Sequence, residues 1–248
     1  MSKECPEASA LLGILAFFNP DDILLVLFNI EEDLQAPVLL DRRLERYAIE
    51  AALNTLQTYS LVHWRDDQHS YYIHKLVHAW AFDRLEESDQ RSFSISVLHL
   101  LSIQVSKLSN SEIGFKSRLV PHVVACFRPV PQLHMTVSIS EEDILSLLET
   151  LGAFLRAMGQ WPAECQVREF ILTENDLLNG REDPSTLTSM NNLAFTLKGL
   201  NRDIEALDLL SSCLELLTGK LGTNHPNTLA CAQTHNTWNM ERSSCNLQ

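Results

Sequence analysis

Apolar residues recur at spacings of three and four along most of the chain, the periodicity of an amphipathic α-helix. Early in the chain this pattern predicts two short helices between Pro6 and Asn29, the second opening at Pro20. A longer helix is predicted to begin at Asp41, after an acidic linker of residues 29–37. Proline and carboxylates at a helix start favour such openings, because proline fixes φ and the carboxylates complement the helix dipole.

Two short β-prone runs interrupt the helical pattern. Leu61–Trp64 and Ser70–Ile73 flank the polar segment Arg65–His69, which predicts a small β-hairpin. A helix from His74 to about Glu87 is predicted next. Its spacing predicts that four apolar side chains are buried: Leu76, Val77, Trp80 and Leu85. Helices, then a hairpin, then a helix indicate a winged-helix-like domain over residues 1–90.

Helical periodicity continues over residues 91–130, which we interpret as a helical connector. Two helices are predicted there, over Ser92–Leu108 and Glu112–Phe127. The prolines at 129 and 131 mark a candidate linker, and Ser140 is a candidate N-cap for the region that follows.

The C-terminal part of the chain matches itself at an offset of 42 residues. The matched pairs include Leu151 with Leu193, Leu155 with Leu197, Gly180 with Gly222, and Pro184 with Pro226. A fixed period of this length is typical of stacked repeats, in which each unit buries its apolar face against its neighbours. The sequence therefore predicts helical repeats over residues 140–232, with two helices in each unit.

Turn residues recur in phase with this repeat. Gly159 and Asn201 stand where the first helix of each unit must end, and both tolerate a left-handed backbone. A third unit departs from the pattern, because His235 and Asn236 replace the equivalents of Leu193 and Ala194. We therefore expect residues 233–248 to form a frayed tail.

Composition narrows the function classes. The chain has 248 residues and a formal charge of −13, which argues against nucleic-acid binding, since Lys and Arg supply most of that affinity. Its six cysteines form no CxxC pair, which favours reduced thiols and a cytoplasmic location. The apolar run of residues 10–18 is too short to span a bilayer and is a poor signal peptide, so no membrane association is expected.

The repeat block resembles kinesin light chain-type tetratricopeptide repeats. The resemblance rests on Glu182–Ala194, with its Asn-Asn-Leu-Ala ending, and on the His-Pro-x-Thr-Leu pattern within Leu221–Leu229. It implies a superhelix of paired α-helices that binds protein or peptide ligands in a concave groove. By position, the groove residues it suggests are Asn191, Asn192, Thr196 and Lys198.

The upstream region resembles the winged-helix and helical segment of fungal STAND-type receptors of the NB-ARC or NACHT class. The resemblance rests on the opening Glu7-Ala8 with Leu11-Leu12 and on four later segments: Asn19–Ile23, Tyr59–Val62, Ile73–His78 and Leu119–Val123. No GxxxxGK[ST] motif is present, so a phosphate-binding loop cannot be assigned. The resemblance implies the sensor or scaffold part of a STAND-type signalling protein, with a separate nucleotide-binding STAND protein as a further partner.

The fold class we predict is mainly α: a winged-helix-like and helical domain with one small hairpin, followed by an α-α superhelix. The function we predict is a non-catalytic protein-protein interaction module, with no enzyme activity, cofactor or metal. One alternative is a zinc-dependent enzyme, because His63, His69, His74 and His78 lie close in sequence and the last two are spaced i, i+4. The other is a winged-helix nucleic-acid binder that uses Arg65 and Lys75.

Overall fold

The structure is a computed structural model that describes residues 5–28, 46–108, 112–128, 130 and 141–245. Contacts divide the chain into two units, Met1–Leu151 and Gly152–Gln248. The predicted linker of residues 29–37, the helix start Asp41, the linker prolines and the N-cap Ser140 lie outside the described residues. Within the described residues, every helix is too short or too polar to cross a membrane.

The first unit consists of helices around one small hairpin. Its elements are α1 (Pro6–Leu15), α2 (Arg46–Thr58), β1 (Val62–Arg65), β2 (Ser70–Ile73), α3 (Lys75–Asp83), α4 (Glu87–Lys107) and α5 (Ile113–Phe127). The helix α6 (Glu141–Ala157) spans the boundary between the two units. The structure confirms the mainly helical fold class with one two-stranded antiparallel sheet.

Helix α1 forms the centre of the first unit's core. Apolar residues surround almost its whole circumference, and a helix of that composition is stable only when it is buried. Accordingly α1 contacts α2, α3 and α4. Gly13 permits the close approach of α4, because a Cβ atom at this position would lie 2.6 Å from the ring of Phe93.

The hairpin forms where the sequence predicts it, with Val62 opposite Ile73 and Arg65 opposite Ser70. Ile23 adds a further bridge, because it exchanges two backbone hydrogen bonds of 2.8 Å with Tyr71. The predicted second helix from Pro20 is therefore wrong. This segment pairs with β2 in extended form, and only a 3₁₀ turn remains at Leu25–Phe28.

Asp22 joins this N-terminal segment to α5. Its backbone is left-handed, with φ of 62°, and its carboxylate accepts two hydrogen bonds from the guanidinium of Arg118. The hydrogen bond from Arg118 lowers the pKa of Asp22. One turn later in α5, His122 Nε2 lies 3.0 Å from the carbonyl oxygen of Asp22. Two segments that carry the STAND resemblance, Asn19–Ile23 and Leu119–Val123, therefore meet at one polar junction.

Helix α3 turns a different face inward from the one predicted. Leu76 is 75% exposed and Trp80 is 51% exposed, so the prediction that they are buried is wrong. Ala81 is buried instead, and His78 points inward with Nε2 2.9 Å from the carbonyl oxygen of Phe18. This hydrogen bond fixes the rotation of the helix, which the apolar residues around α3 leave ambiguous.

The second unit is a row of helices that pack in chain order. Four helices follow α6: α7 (Trp161–Asn179), α8 (Pro184–Gly199), α9 (Asp203–Leu221) and α10 (Pro226–Cys245). Among these four helices, each contacts the next one in the chain. The bounds of α7 and α9 differ by the repeat offset at both ends, and the starts of α8 and α10 differ by the same offset. This confirms helical repeats at the C-terminus.

The turns between these helices also repeat. Gly159 and Asn201 end the first helix of their units with φ of 68° and 59°. Gly180 and Gly222 end the second helices with φ of 85° each and ψ of 163° and 164°. The predicted left-handed helix ends at Gly159 and Asn201 are therefore confirmed.

Helix α10 is a full helix rather than a frayed tail. It continues to Cys245, so the predicted fraying from residue 233 is wrong for residues 233–245. Trp238 supplies the missing apolar contact, since it is only 8% exposed and its ring centroid lies 5.0 Å from that of Phe195 in α8. Trp238, one helical turn after His235, therefore makes the apolar contact that the repeat pattern places at position 235.

Candidate functional site

A groove of about 390 Å³ opens between α8, α9 and α10. The first helices of two successive units, α8 and α10, form its walls, and the C-terminal half of α9 completes it. Its lining mixes apolar and amide or hydroxyl side chains: Pro184, Leu187, Thr188, Asn191, Phe195, Cys213, Leu217, Lys220, Leu221, Asn227, Ala230, Cys231 and Thr234. A concave apolar site with a few polar groups is the usual form of a ligand-binding site.

Asn191 is the predicted site residue that lies in this groove. It is partly exposed, and Asn227 lies among the groove residues contributed by α10. A side-chain amide both donates and accepts hydrogen bonds, so it can pair with the N–H and the C=O of an extended peptide backbone. Phe195 and Leu221, each 39% exposed, offer apolar surface in the same groove.

Asn192 and Thr196 lie instead at a polar junction between α6, α7 and α8. Arg156 donates from Nη2 to the carbonyl oxygen of Asn192 at 3.0 Å and to the hydroxyl of Thr196 at 3.2 Å. Thr196 is fully buried, and its hydroxyl also donates to the Asn192 carbonyl at 3.0 Å. The structure therefore does not bring these two residues to the groove with Asn191.

A buried carboxylate holds this junction together. Glu164 in α7 is fully buried, and its Oε1 accepts from Arg156 Nε at 2.7 Å and from Arg168 Nε at 3.3 Å. Gly152 leaves the room that the Arg168 guanidinium needs, because a Cβ atom there would lie 3.2 Å from its central carbon. Since Arg156 also bonds the backbone of α8, this cluster fixes the helix that carries Asn191.

Lys198 is engaged at the far end of α8. Its Nζ lies 3.2 Å from Asp203 Oδ1 and 3.2 Å from Glu241 Oε2, and 5.7 Å from the ring centroid of Trp238. It therefore links α8 to α9 and α10, and it is not among the residues that line the groove. Of the four predicted site residues, the structure places Asn191 alone in the groove.

The groove residues from α9 and α10 were not predicted from the sequence. Cys213, Leu217 and Cys231 are positions of a second helix and of the next unit, so the phase of α8 gives no information on them. The signal that could have found them is the repeat itself, because it places α10 beside α8 at a fixed offset.

The four histidines of the zinc hypothesis have separate partners. His63 stacks on Tyr72, His69 packs against Trp64, His74 caps α3 by accepting from Leu76 N–H, and His78 bonds the Phe18 carbonyl. In the described part of the chain, no three His, Cys, Asp or Glu side chains are grouped to hold a metal ion. The zinc alternative therefore loses its geometric basis.

Arg65 of the hairpin is paired within the protein. Its Nη2 lies 3.3 Å from Asp21 Oδ1, and its guanidinium carbon lies 4.3 Å from the ring centroid of Tyr72. A phosphate ligand would have to compete with Asp21 for this cation. A phosphate bound by Arg65 would therefore have to replace this ion pair.

Comparison with known protein families gives two matches. Residues 1–90 match a domain of unknown function, DUF7779, which covers α1 to the start of α4. Residues 186–227 match the tetratricopeptide repeat, which covers most of α8, all of α9 and the start of α10. Among curated proteins none matches the chain. The second match and the paired helices together support tetratricopeptide repeats, a class that typically mediates protein-protein binding without catalysis.

Proposed function

We propose that the protein is a non-catalytic protein-protein interaction module whose groove between α8, α9 and α10 binds an extended segment of a partner protein. The observation that carries this proposal is the groove itself, which combines a concave apolar lining with amide groups at Asn191 and Asn227. Among the described residues, no hydrogen-bond partner occupies the side-chain amide of either asparagine. Both amides therefore remain available to a peptide backbone.

The partner segment we expect is extended and partly apolar. Phe195 and Leu221 would cover its apolar side chains, and Asn191 would bond its backbone N–H and C=O groups. Asn192, Thr196 and Lys198, predicted with Asn191, would act indirectly by holding α8 in place. No metal or cofactor takes part in this mode of binding.

We further propose that the module is the sensor or scaffold part of a STAND-type signalling protein and acts in the cytoplasm. Support comes from the resemblance of Asn19–Ile23 and Leu119–Val123, and from the direct bonding of Asp22 in the first segment to Arg118 beside the second. Five cysteines are free, as a reducing compartment would require: Cys5, Cys126, Cys165, Cys213 and Cys231. A separate nucleotide-binding STAND protein is the second partner that this setting suggests.

The binding proposal is tested by selecting peptides from a random-peptide display library on the purified protein. Selected peptides are then titrated against wild type, Asn191→Ala and Asn236→Ala. Asn236 is the matched control, because it is an exposed asparagine of α10 that does not line the groove. We expect Asn191→Ala to weaken binding about tenfold, the cost of two lost hydrogen bonds, and Asn236→Ala to leave it unchanged.

Two outcomes would overturn the proposal. One is that no peptide is enriched over the same selection on an unrelated helical protein. The other is that the enriched peptides bind Asn191→Ala and wild type equally well. Loss of binding in Asn192→Ala together with full binding in Asn191→Ala would show that the peptide binds outside the groove.

A further inference from the structure

Two cysteines from different helices converge in the groove. Cys213 of α9 is fully buried and Cys231 of α10 is 5% exposed, and both line the groove. Cys213 Sγ donates to the carbonyl oxygen of Leu187 at 3.4 Å, and Cys231 Sγ donates to that of Leu210 at 3.8 Å. Leu210 is one helical turn before Cys213, so the Cys231 sulfur crosses from α10 to the turn of α9 that carries Cys213.

The two thiols also affect each other's pKa. A hydrogen bond between them raises the pKa of Cys213 and lowers that of Cys231. Cys231 is therefore the thiol that loses its proton more readily. Cys165 differs, because burial raises its pKa to about 11, and its neighbours are Glu169 and Arg202.

We propose that Cys213 and Cys231 form an oxidation site, at which hydrogen peroxide entering through the groove converts the two thiols into a disulfide between α9 and α10. The structure supplies the two requirements of such a site. The two cysteines line one groove from adjacent helices, with the Cys231 sulfur bonded to the turn of α9 that carries Cys213, and the more exposed thiol opens onto a cavity large enough for a small oxidant.

The reaction balances with peroxide as the oxidant. The Cys231 thiolate attacks one peroxide oxygen, the O–O bond breaks, and hydroxide leaves while Cys231 becomes a sulfenic acid. Cys213 then attacks the Cys231 sulfur, the S–S bond forms, and the sulfenic oxygen leaves as water with the Cys213 proton. In total the two thiols lose two electrons and two protons, and one peroxide molecule is reduced to two molecules of water.

A disulfide here would tie α9 to α10 across the base of the groove. It would thus fix the separation of the helices that an incoming peptide contacts. A bound peptide, in turn, would cover the path by which peroxide reaches Cys231. These two consequences rest on the proposed peptide binding, whereas the oxidation itself does not.

The test is oxidation of the full chain with increasing hydrogen peroxide, followed by alkylation of the remaining thiols and peptide mapping by mass spectrometry. We expect a single internal cross-link between Cys213 and Cys231, with the loss of two hydrogens that a reductant restores. Cys165→Ser is the control and should form the same cross-link. Cys213→Ser should stop at a sulfenic acid on Cys231, which a dimedone probe captures.

Wild-type mapping decides the outcome even if a cysteine variant fails to fold. Recovery of both Cys213 and Cys231 as alkylated thiols, under conditions that oxidise the free amino acid, would overturn the proposal. So would cross-links that join either residue to another cysteine in preference to each other. A peptide obtained by selection should slow the cross-link; if the cross-link forms and no peptide slows it, the groove-binding proposal fails and the oxidation site stands.

Discussion

Glu164 is a fully buried carboxylate that bonds two arginines from its position in α7. A buried charge is tolerated only where partners compensate for its lost hydration. Arg156 has a further role here, because it also bonds the backbone of α8. The carboxylate is therefore the residue through which three helices share one electrostatic contact.

Glu164→Gln should lower the free energy of unfolding by about 3 kcal/mol, because it leaves two guanidinium groups facing a neutral amide. Urea denaturation followed by circular dichroism measures this change. The matched control is Glu205→Gln, which breaks an exposed pair with Arg202 and should leave the denaturation midpoint in place. Equal effects of the two variants would show that the buried cluster contributes no more to stability than the exposed ion pair.

At the level of elements, the glycines that end α7 and α9 set the geometry of the repeat. Gly180 and Gly222 share φ of 85° and almost the same ψ, a region of backbone space that only glycine adopts without strain. Each also donates its N–H to the carbonyl four residues earlier at 3.0 Å. Helix α8 and helix α10 therefore leave their turns in the same way.

Gly222→Ala should destabilise the second unit by about 2 kcal/mol, since alanine is strained at this backbone conformation. Gly219→Ala, three residues earlier, should stabilise the protein by about 0.5 to 1 kcal/mol. Gly219 is exposed within α9, and a Cβ atom there meets no neighbour within 4 Å. Thermal unfolding of the two variants measures whether each gains or loses stability. A loss of stability in both would contradict this explanation.

The sequence was sufficient for the elements that depend on local pattern. The hairpin and the left-handed turn at Asn201 were predicted because the residue types that produce them are contiguous, and the repeat period was predicted from matches at a fixed offset. Prediction from the sequence failed where a contact with a residue distant in the chain determines the local structure. Ile23 is extended because it pairs with Tyr71, and α3 is rotated because His78 reaches Phe18.

The candidate site shows the same division. Asn191 was predicted from its position in the repeat and lies in the groove. Thr196, on the same helix, was predicted by the same argument and is buried, because Arg156 of α6 bonds it from across the helix pair. Which face of α8 meets the previous unit depends on side chains of that unit, and the periodicity of α8 alone carries no information on them.

At the level of the whole molecule, the two units hold different kinds of buried polar group. The first has two histidines at its contacts with the N-terminal segment, the half-buried His78 and the fully buried His122. The second has the ion cluster around Glu164. Burial lowers the pKa of both His78 and His122 below the ordinary value of 6.5. The response to pH should therefore differ between the units.

We expect the first unit to lose stability as the pH falls below about 6.5. In that range the two histidines become protonated in the unfolded chain but stay neutral in the native protein. Each of them therefore lowers the free energy of unfolding by at most about 1.4 kcal/mol per pH unit. Hydrogen exchange at about pH 7.5 and about pH 5.5 measures the change separately in α1 and in α9. Protection should fall in α1 more than in α9.

His122→Gln should reduce this loss of protection in α1, because it removes one of the two groups that take up protons on unfolding. Gly222→Ala is the contrasting variant, since it should lower protection in α9 at both pH values and leave the pH response of α1 as in wild type. If α1 responds to pH equally in wild type and in His122→Gln, then His122 does not contribute to the loss of protection at low pH.

The near-identical backbone angles at Gly180 and Gly222 also bear on how this part of the protein could lengthen. Each glycine leads into the next helix with nearly the same backbone angles. A tandem duplication of the gene segment for residues 184–225 would thus add one more helix pair in register with the existing repeats. New binding surface could arise in a single genetic event, without any adjustment of the older units.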